Sequence, residues 1–340
     1  MDQLTGTTIG RYRLRDRLQV LPYATIHHAE AADGGRVLVW VFHEPYCNAL
    51  GFVEALERLA GDHRTLGIDG VAQTLEIGSQ ERPTPVAYLV QEDAPGGFLV
   101  SLLHQGRAPG VLATVSNLAQ ALDRVHRQGL VHGDVQPATV AVGAGGRPVL
   151  VGMGIRTVVT RVNPHAAWLD ATRGFRPPEA RTEPTAAADR YGLAALTYYL
   201  LVGRPPAPDG AVVPPSQVRP QLPSAVDEVL LQALAPEPAR RHGSAGEMVA
   251  ALRSAISGRP GAAPPAHPQA PPPSAPAASH PWQPVQGGEP AASRTVALVP
   301  IEPLEIHPHV RRTSGIVLLG VLVVVAAAVI FLFATGRLYL

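Results

Sequence analysis

Fourteen prolines fall between Pro260 and Pro308, and that run divides the chain more sharply than any other feature. Proline supplies no backbone N–H, so a stretch this rich in it cannot sustain helix or sheet ladders. Its alanine and glycine company buries too little apolar surface to offset chain entropy. Residues 259–310 are therefore expected to form an extended, disordered linker, partly polyproline. Within it, residues 296–306 are more apolar than their surroundings, and composition assigns them no role. Ahead lies a segment of ordinary globular composition, residues 1–258. Behind lies a run without a single charge, residues 316–335, long enough at about 1.5 Å per residue to cross the roughly 30 Å hydrocarbon core of a bilayer. That pattern predicts one transmembrane helix, followed by a short tail at 336–340. A soluble buried helix is the competing reading, but one isolated behind such a linker would have no core to enter. Arg311 and Arg312 precede the span and Arg337 follows it, a small bias that predicts a cell-membrane protein with its large part in the cytoplasm. No signal-peptide pattern opens the chain.

Composition narrows the chemistry. An apolar content of 46% supports a sizeable core, while 28 basic and 27 acidic residues leave a net charge of +1. That balance carries no electrostatic footprint for nucleic acid. The lone Cys47 excludes an internal disulfide and is too little for a zinc site; it reads as a small filler in a loop. All 28 basic residues are arginine. The chain thus lacks the compact ammonium that grips phosphates as a point charge.

Residues 1–258 change pattern midway. RYRLRDRL reads as a half-buried strand with Tyr12, Leu14 and Leu18 on one face. RVLVWVF, from Arg36 to Phe42, is apolar on both faces. Residues 52–59 have helical spacing, and VAYLVQED is a further strand leading to Ala94-Pro95-Gly96-Gly97. Beyond that point helices dominate: Val115, Leu118, Leu122 and Val125 recur at helical spacing, and Gly129 ends the helix.

Five short motifs then follow in order. They are Val131-His132-Gly133-Asp134 with Pro137; Pro148-Val149-Leu150-Val151-Gly152-Met153-Gly154; Thr172-Arg173-Gly174-Phe175-Arg176-Pro177-Pro178-Glu179; Asp189-Arg190-Tyr191-Gly192; and the segment from Leu234 to Arg241. Together with the preceding strands and Gly-rich hinge, they resemble the eukaryotic-type serine/threonine protein kinases of bacteria over about residues 9–257. The resemblance implies an α+β, two-lobed protein-kinase-like fold, with a small β-rich N-lobe and a larger helical C-lobe. It also implies structural roles for three charged residues: Glu179 pairing with Arg241 inside the large lobe, and Asp189 holding the backbone of the catalytic loop.

Against the same pattern the chemical parts are missing. Phosphoryl transfer relies on positioning and electrostatic stabilisation by a glycine-rich loop, a lysine, two magnesium ligands and a base. Here Gln19, Leu21 and Ala24 stand where the resemblance puts the three glycines, and Pro22 removes an amide donor. Trp40 takes the place of the lysine, with Leu38 on the same strand face, so two bulky apolar groups are expected in the nucleotide cleft. Glu54 or Glu57 corresponds to the lysine's glutamate partner, or is a solvated helix charge. Thr139 and Gly152 replace both metal ligands, Gln136 replaces the loop lysine, and Gly133 replaces an arginine. Loss of that arginine leaves a phosphorylated Thr157, Thr160 or Thr172 without its usual anchor. Asp134 alone keeps its identity, with His132 beside it. The HGD-x-x-P spelling is also similar to aminoglycoside phosphotransferases and choline-kinase-like enzymes, but those need the carboxylate that Gly152 lacks. Asp134 is read as a structural remnant. The thirteen histidines show no metal spacing, and His27, His28 and the linker histidines are expected to be solvated.

The expected function is that of a membrane-anchored pseudokinase: a binding or scaffold module in signalling, with an unidentified protein partner and no cofactor. Weak, metal-independent ATP contact at the hinge, Glu92 to Ala94, stays open. The alternative is a divergent serine/threonine kinase or small-molecule phosphotransferase using Asp134 as base.

Overall fold

In the computed structural model the chain divides into two units, residues 1–268 and 269–340. The structure describes residues 4–64, 67–81, 85–107, 109–163, 173–179, 184–207 and 211–258, all in the first unit. The linker 259–310 with its apolar stretch 296–306, the span 316–335, the tail 336–340 and Thr172 lie outside the described residues. Among those described, no helix is long and apolar enough to cross a membrane.

The described residues form a kinase-like fold of two lobes. The N-lobe is a six-stranded antiparallel sheet in the order β1-β2-β3-β4-β6-β5, built from β1 (Thr8–Ile9), β2 (Tyr12–Val20), β3 (Ala24–Glu30), β4 (Arg36–Phe42), β5 (Thr74–Gln80) and β6 (Val86–Glu92). Central β4 is apolar on both faces because both are covered. Leu38, Trp40 and Phe42 join one buried cluster, and Val37, Val39 and Val41 join another on the opposite side. Helix α1 (Phe52–Arg64) closes the first of these faces, burying Phe52, Leu56 and Ala60 at four-residue intervals. Its glutamates Glu54 and Glu57 point to solvent.

Two expectations need correction here. Tyr12 and Leu14 pack on the outer sheet face, but Leu18 packs against the cleft-side cluster. Register shifts around Arg17 in the β2–β3 ladder break the alternation between them. His27 and His28 are also not solvated: His27 is fully buried on β3. His28 is half-buried, with Nε2 3.2 Å from Asp93 Oδ1, while Arg36 meets the other carboxylate oxygen at 3.3 Å. A strand enclosed on both faces leaves no wet side for consecutive histidines.

The C-lobe contains α2 (Leu99–His104), α3 (Val111–Arg127), α4 (Ile155–Val162), α5 (Ala186–Val202), α6 (Pro215–Val218), α7 (Ser224–Ala233) and α8 (Ala245–Ser257), with the short hairpin β7 (Val140–Val142) and β8 (Pro148–Leu150) facing the N-lobe. Val115, Leu118, Leu122 and Val125 of α3 are completely buried. Gly129 follows α3 at φ +73°, where a Cβ would be strained. Helix α5 is capped by Thr185, whose Oγ1 accepts from the Ala188 amide, and ends at Gly203. Its Leu193 to Tyr198 are all buried, making it the axis of the lobe.

Arg241 fastens this lobe from inside. Its guanidinium donates to both oxygens of Glu179, at 2.6 and 2.8 Å, and to the carbonyls of Ala187, Ala235 and Pro236 at 2.8–3.0 Å. All five N–H groups of the fork are thereby satisfied, and Tyr191 lies under its plane at 5.0 Å. Arg241→Ala is expected to cost about 3–5 kcal/mol, because it strands a carboxylate and three inward-facing carbonyls. Glu179→Ala should cost somewhat less, since its carboxylate keeps 29% exposure. Denaturant unfolding of the double variant should fall well short of the sum of the singles; simple additivity would show that the pair is not coupled.

Candidate functional site

The cleft between the lobes is lined by β3 and β4 above, β6 and the hinge behind, and the segments 131–139 and 151–156 below. Physical chemistry first asks where the Trp40 indole goes, since a tryptophan buried without a partner for its N–H is penalised. It goes into the cleft, fully buried. Nε1 donates to Gln91 Oε1 at 2.9 Å, and the same oxygen accepts the Gly152 amide at 3.1 Å. The Gln91 amide group in turn donates to the Ala72 carbonyl at 3.3 Å, with Thr74 Oγ1 3.5 Å away. Gln91 stands opposite Leu38 in the β4–β6 ladder, so it reaches the same space from the next strand.

Gly152 is what makes room. A Cβ built on it would lie 2.6 Å from Trp40 Cη2 and 2.9 Å from Cζ2, and its φ of +74° already disfavours a side chain. The position that would need a carboxylate for magnesium is therefore packed against an aromatic ring. Leu21, Ala24, Ile26 and Leu38 join Trp40, Phe52, Leu56 and Val151 in one buried cluster. Gln19 is half-buried on β2 opposite Ile26 and has no place in it. These residues do not fit a magnesium–nucleotide complex: Trp40, Leu38 and Leu21 fill the space with apolar atoms, the Thr139 hydroxyl is taken up within its own loop, and among the described residues no group of three or more His, Cys, Asp or Glu could hold a metal ion.

Below the plug lies the loop that carries Asp134. Asp189 Oδ2 accepts the His132 amide at 2.8 Å and Oδ1 accepts the Gly133 amide at 2.7 Å, so one carboxylate fixes two consecutive backbone groups. His126 Nε2 meets Asp189 Oδ2 at 2.9 Å. The His132 ring is buried, with Nε2 on the Val151 carbonyl at 3.1 Å and Nδ1 accepting the Asp134 amide at 3.2 Å, an arrangement that suits the neutral imidazole. Burial pushes its pKa down from 6.5, against the pull of Asp189 and Asp134. Thr139 is spent within the loop, its hydroxyl donating to the Asp134 carbonyl and accepting the Gln136 amide.

Asp134 itself is 6% exposed. Arg156 of α4 meets its Oδ1 at 2.7 Å, and the Tyr23 hydroxyl reaches Oδ2 at 3.4 Å from the hairpin between β2 and β3. Sequence reasoning missed Tyr23, Gln91 and Arg156. Gln91 left little trace, standing between Val90 and Glu92 at the polar end of VAYLVQED. Arg156 left none, because its partner is 22 residues away in a loop that only the fold brings alongside.

The plug gives a double-variant test. Gly152→Ala should destabilise the protein by several kcal/mol, combining steric overlap with backbone strain of about 1–2 kcal/mol. In a Trp40→Ala background, where the overlapping atoms are gone, the same change should cost only the strain. Equal penalties in both backgrounds, measured by denaturant unfolding, would show that the ring does not rest on Gly152.

No protein-family profile matches the sequence. The chain is similar to the serine/threonine-protein kinase PknB of Mycobacterium leprae, 29% identical over 275 residues covering 75% of this chain and 44% of that protein. It is similar also to the serine/threonine-protein kinase Pkn1 of Myxococcus xanthus, 28% identical over 277 residues covering 75% of this chain and 39% of that protein. The chain thus spans less than half the length of these curated relatives. Among solved structures, a point mutant of the Mycobacterium tuberculosis PknI kinase domain superposes with a TM-score of 0.60 at 24% identity, covering 75% of this chain and 99% of that one. A structure described as the apo form of PpkA-294 gives 0.60 at 18% identity, covering 73% and 98%. The structural matches establish the kinase fold, and the sequence matches support a place in the bacterial eukaryotic-type serine/threonine kinase family.

Proposed function

We propose that this chain is a pseudokinase: a kinase-fold module that does not transfer phosphoryl groups and works by binding protein partners through its surface, tethered to the cell membrane by residues 316–335 with the folded part in the cytoplasm. The relatives are named as kinases, so the fold alone would argue for a transferase. What favours the opposite reading is one observation, the Trp40 indole packed on Gly152 and tied to Gln91. A tryptophan buries about 200 Å², worth about 5 kcal/mol at roughly 25 cal/mol per Å². A nucleotide that had to expel it would lose between roughly three and four orders of magnitude in affinity. It would then find neither lysine nor metal carboxylate, and electrostatic stabilisation of the transferring group is the main contribution to this reaction.

Calorimetric titration of the protein with ATP and magnesium or manganese is expected to give no metal-dependent binding, and mass spectrometry after incubation no added phosphate. Trp40→Lys alone should restore neither, since Leu21, Leu38 and Gly152 remain. Tight metal-dependent binding, or phosphate that disappears in Asp134→Asn, would instead establish the divergent-enzyme alternative.

The tether rests on sequence: an uncharged span behind a proline-rich linker. Deleting residues 311–340 should move the protein from the membrane pellet to the soluble fraction. A truncated chain that still sediments with membranes would count against the anchor.

A further inference from the structure

The retained carboxylate poses a separate question, since nothing in a plugged cleft needs a base. A general base must offer a free oxygen within about 2.6–3.2 Å of the heavy atom that carries the proton it takes. Both oxygens of Asp134 face other side chains instead, Oδ1 the Arg156 guanidinium and Oδ2 the Tyr23 hydroxyl. We infer that Asp134 is the anchor of a buried latch, closed by the chain's own side chains, which fastens α4 through Arg156 and the β2–β3 hairpin through Tyr23. This deepens the non-catalytic reading above and rests on it.

The three residues come from three parts of the fold and all are buried, Tyr23 to 2%, Asp134 to 6% and Arg156 to 6% exposure. Each attached segment is also seated by its backbone. The Tyr23 carbonyl accepts the His43 amide at 2.9 Å, and the Leu21 amide donates to the Ala24 carbonyl at 2.8 Å, which draws the hairpin down onto the end of β4. The Gly154 amide donates to the His132 carbonyl at 2.9 Å just before α4, and Ile155, Val158 and Val159 of that helix enter the cluster that holds Trp40. Burial and the neighbouring carboxylate raise the Tyr23 pKa well above 10, so the phenol stays a donor.

A charge pair this far from water is costly to split, because each partner left behind is an uncompensated buried ion. Withdrawing α4 would strand Asp134, and the hairpin would then lie over a naked carboxylate. The two segments should therefore loosen together, although one belongs to the N-lobe and the other to the C-lobe.

Hydrogen–deuterium exchange on the full-length protein tests this, comparing wild type with Asp134→Asn, Arg156→Met and the double variant. Asn keeps the shape of Asp134 and removes its charge. The latch predicts at least tenfold faster exchange in each single variant for the amides of residues 155–162 and of residues 20–25, with α8 unchanged. In the double variant, where no charge is stranded, part of the protection should return. Should Arg156→Met not fold, Arg156→Gln takes its place. Wild-type exchange of either segment in both single variants overturns the latch. If such a protein still binds no magnesium–ATP, the non-catalytic reading survives it; magnesium-dependent phosphoryl transfer by the wild type overturns both.

Discussion

The rest of the cleft is arranged around one contact, the outer rim of the Trp40 indole against Gly152. An aromatic ring at a position that points into the interlobe space must be accommodated on every side. Below it the backbone has no Cβ, and beside it Gln91 supplies the acceptor that a buried N–H requires. In front, Phe52 and Leu56 of α1 take the inward positions, and the glutamates of that helix face water. These features are one solution to one packing problem. Reversing any single one leaves a clash, a cavity or an unpaired polar group.

The C-lobe obeys a different logic. There the buried charges are fully engaged: Arg241 with all five donors used, and Asp189 on two consecutive amides of the loop. Such buried charges are expensive to strand and contribute to folding whether or not the cleft performs chemistry. Residues that contribute only to chemistry carry no such penalty when lost. On the pseudokinase reading proposed above, an intact frame beside an altered cleft follows from that difference in cost.

Much of this was legible in the sequence. Strand β4 could be read as apolar on both faces, the α3 heptad-like spacing gave its buried face, and the motif order gave the two-lobed architecture. Trp40, Leu38 and Gly152 could be picked out as substitutions, but nothing in their spacing said that the ring would rest on the glycine. Where the reading failed, the reason lies in tertiary contacts. The bulges near Arg17 move Leu18 to the other face, and the packing of β3 inside the sheet buries His27. Arg156 and Tyr23 meet at Asp134 only because α4 and the hairpin converge there.

The emission of Trp40 itself tests the central claim most directly. With Trp168 and Trp282 changed to phenylalanine, Trp40 is the sole indole in the chain. An indole sealed in the cleft should emit at short wavelength, resist quenching by acrylamide, and show no change when magnesium and ATP are added. A red-shifted, readily quenched emission, or a shift that saturates with magnesium–ATP, would mean that the ring leaves the cleft and that a nucleotide can take its place.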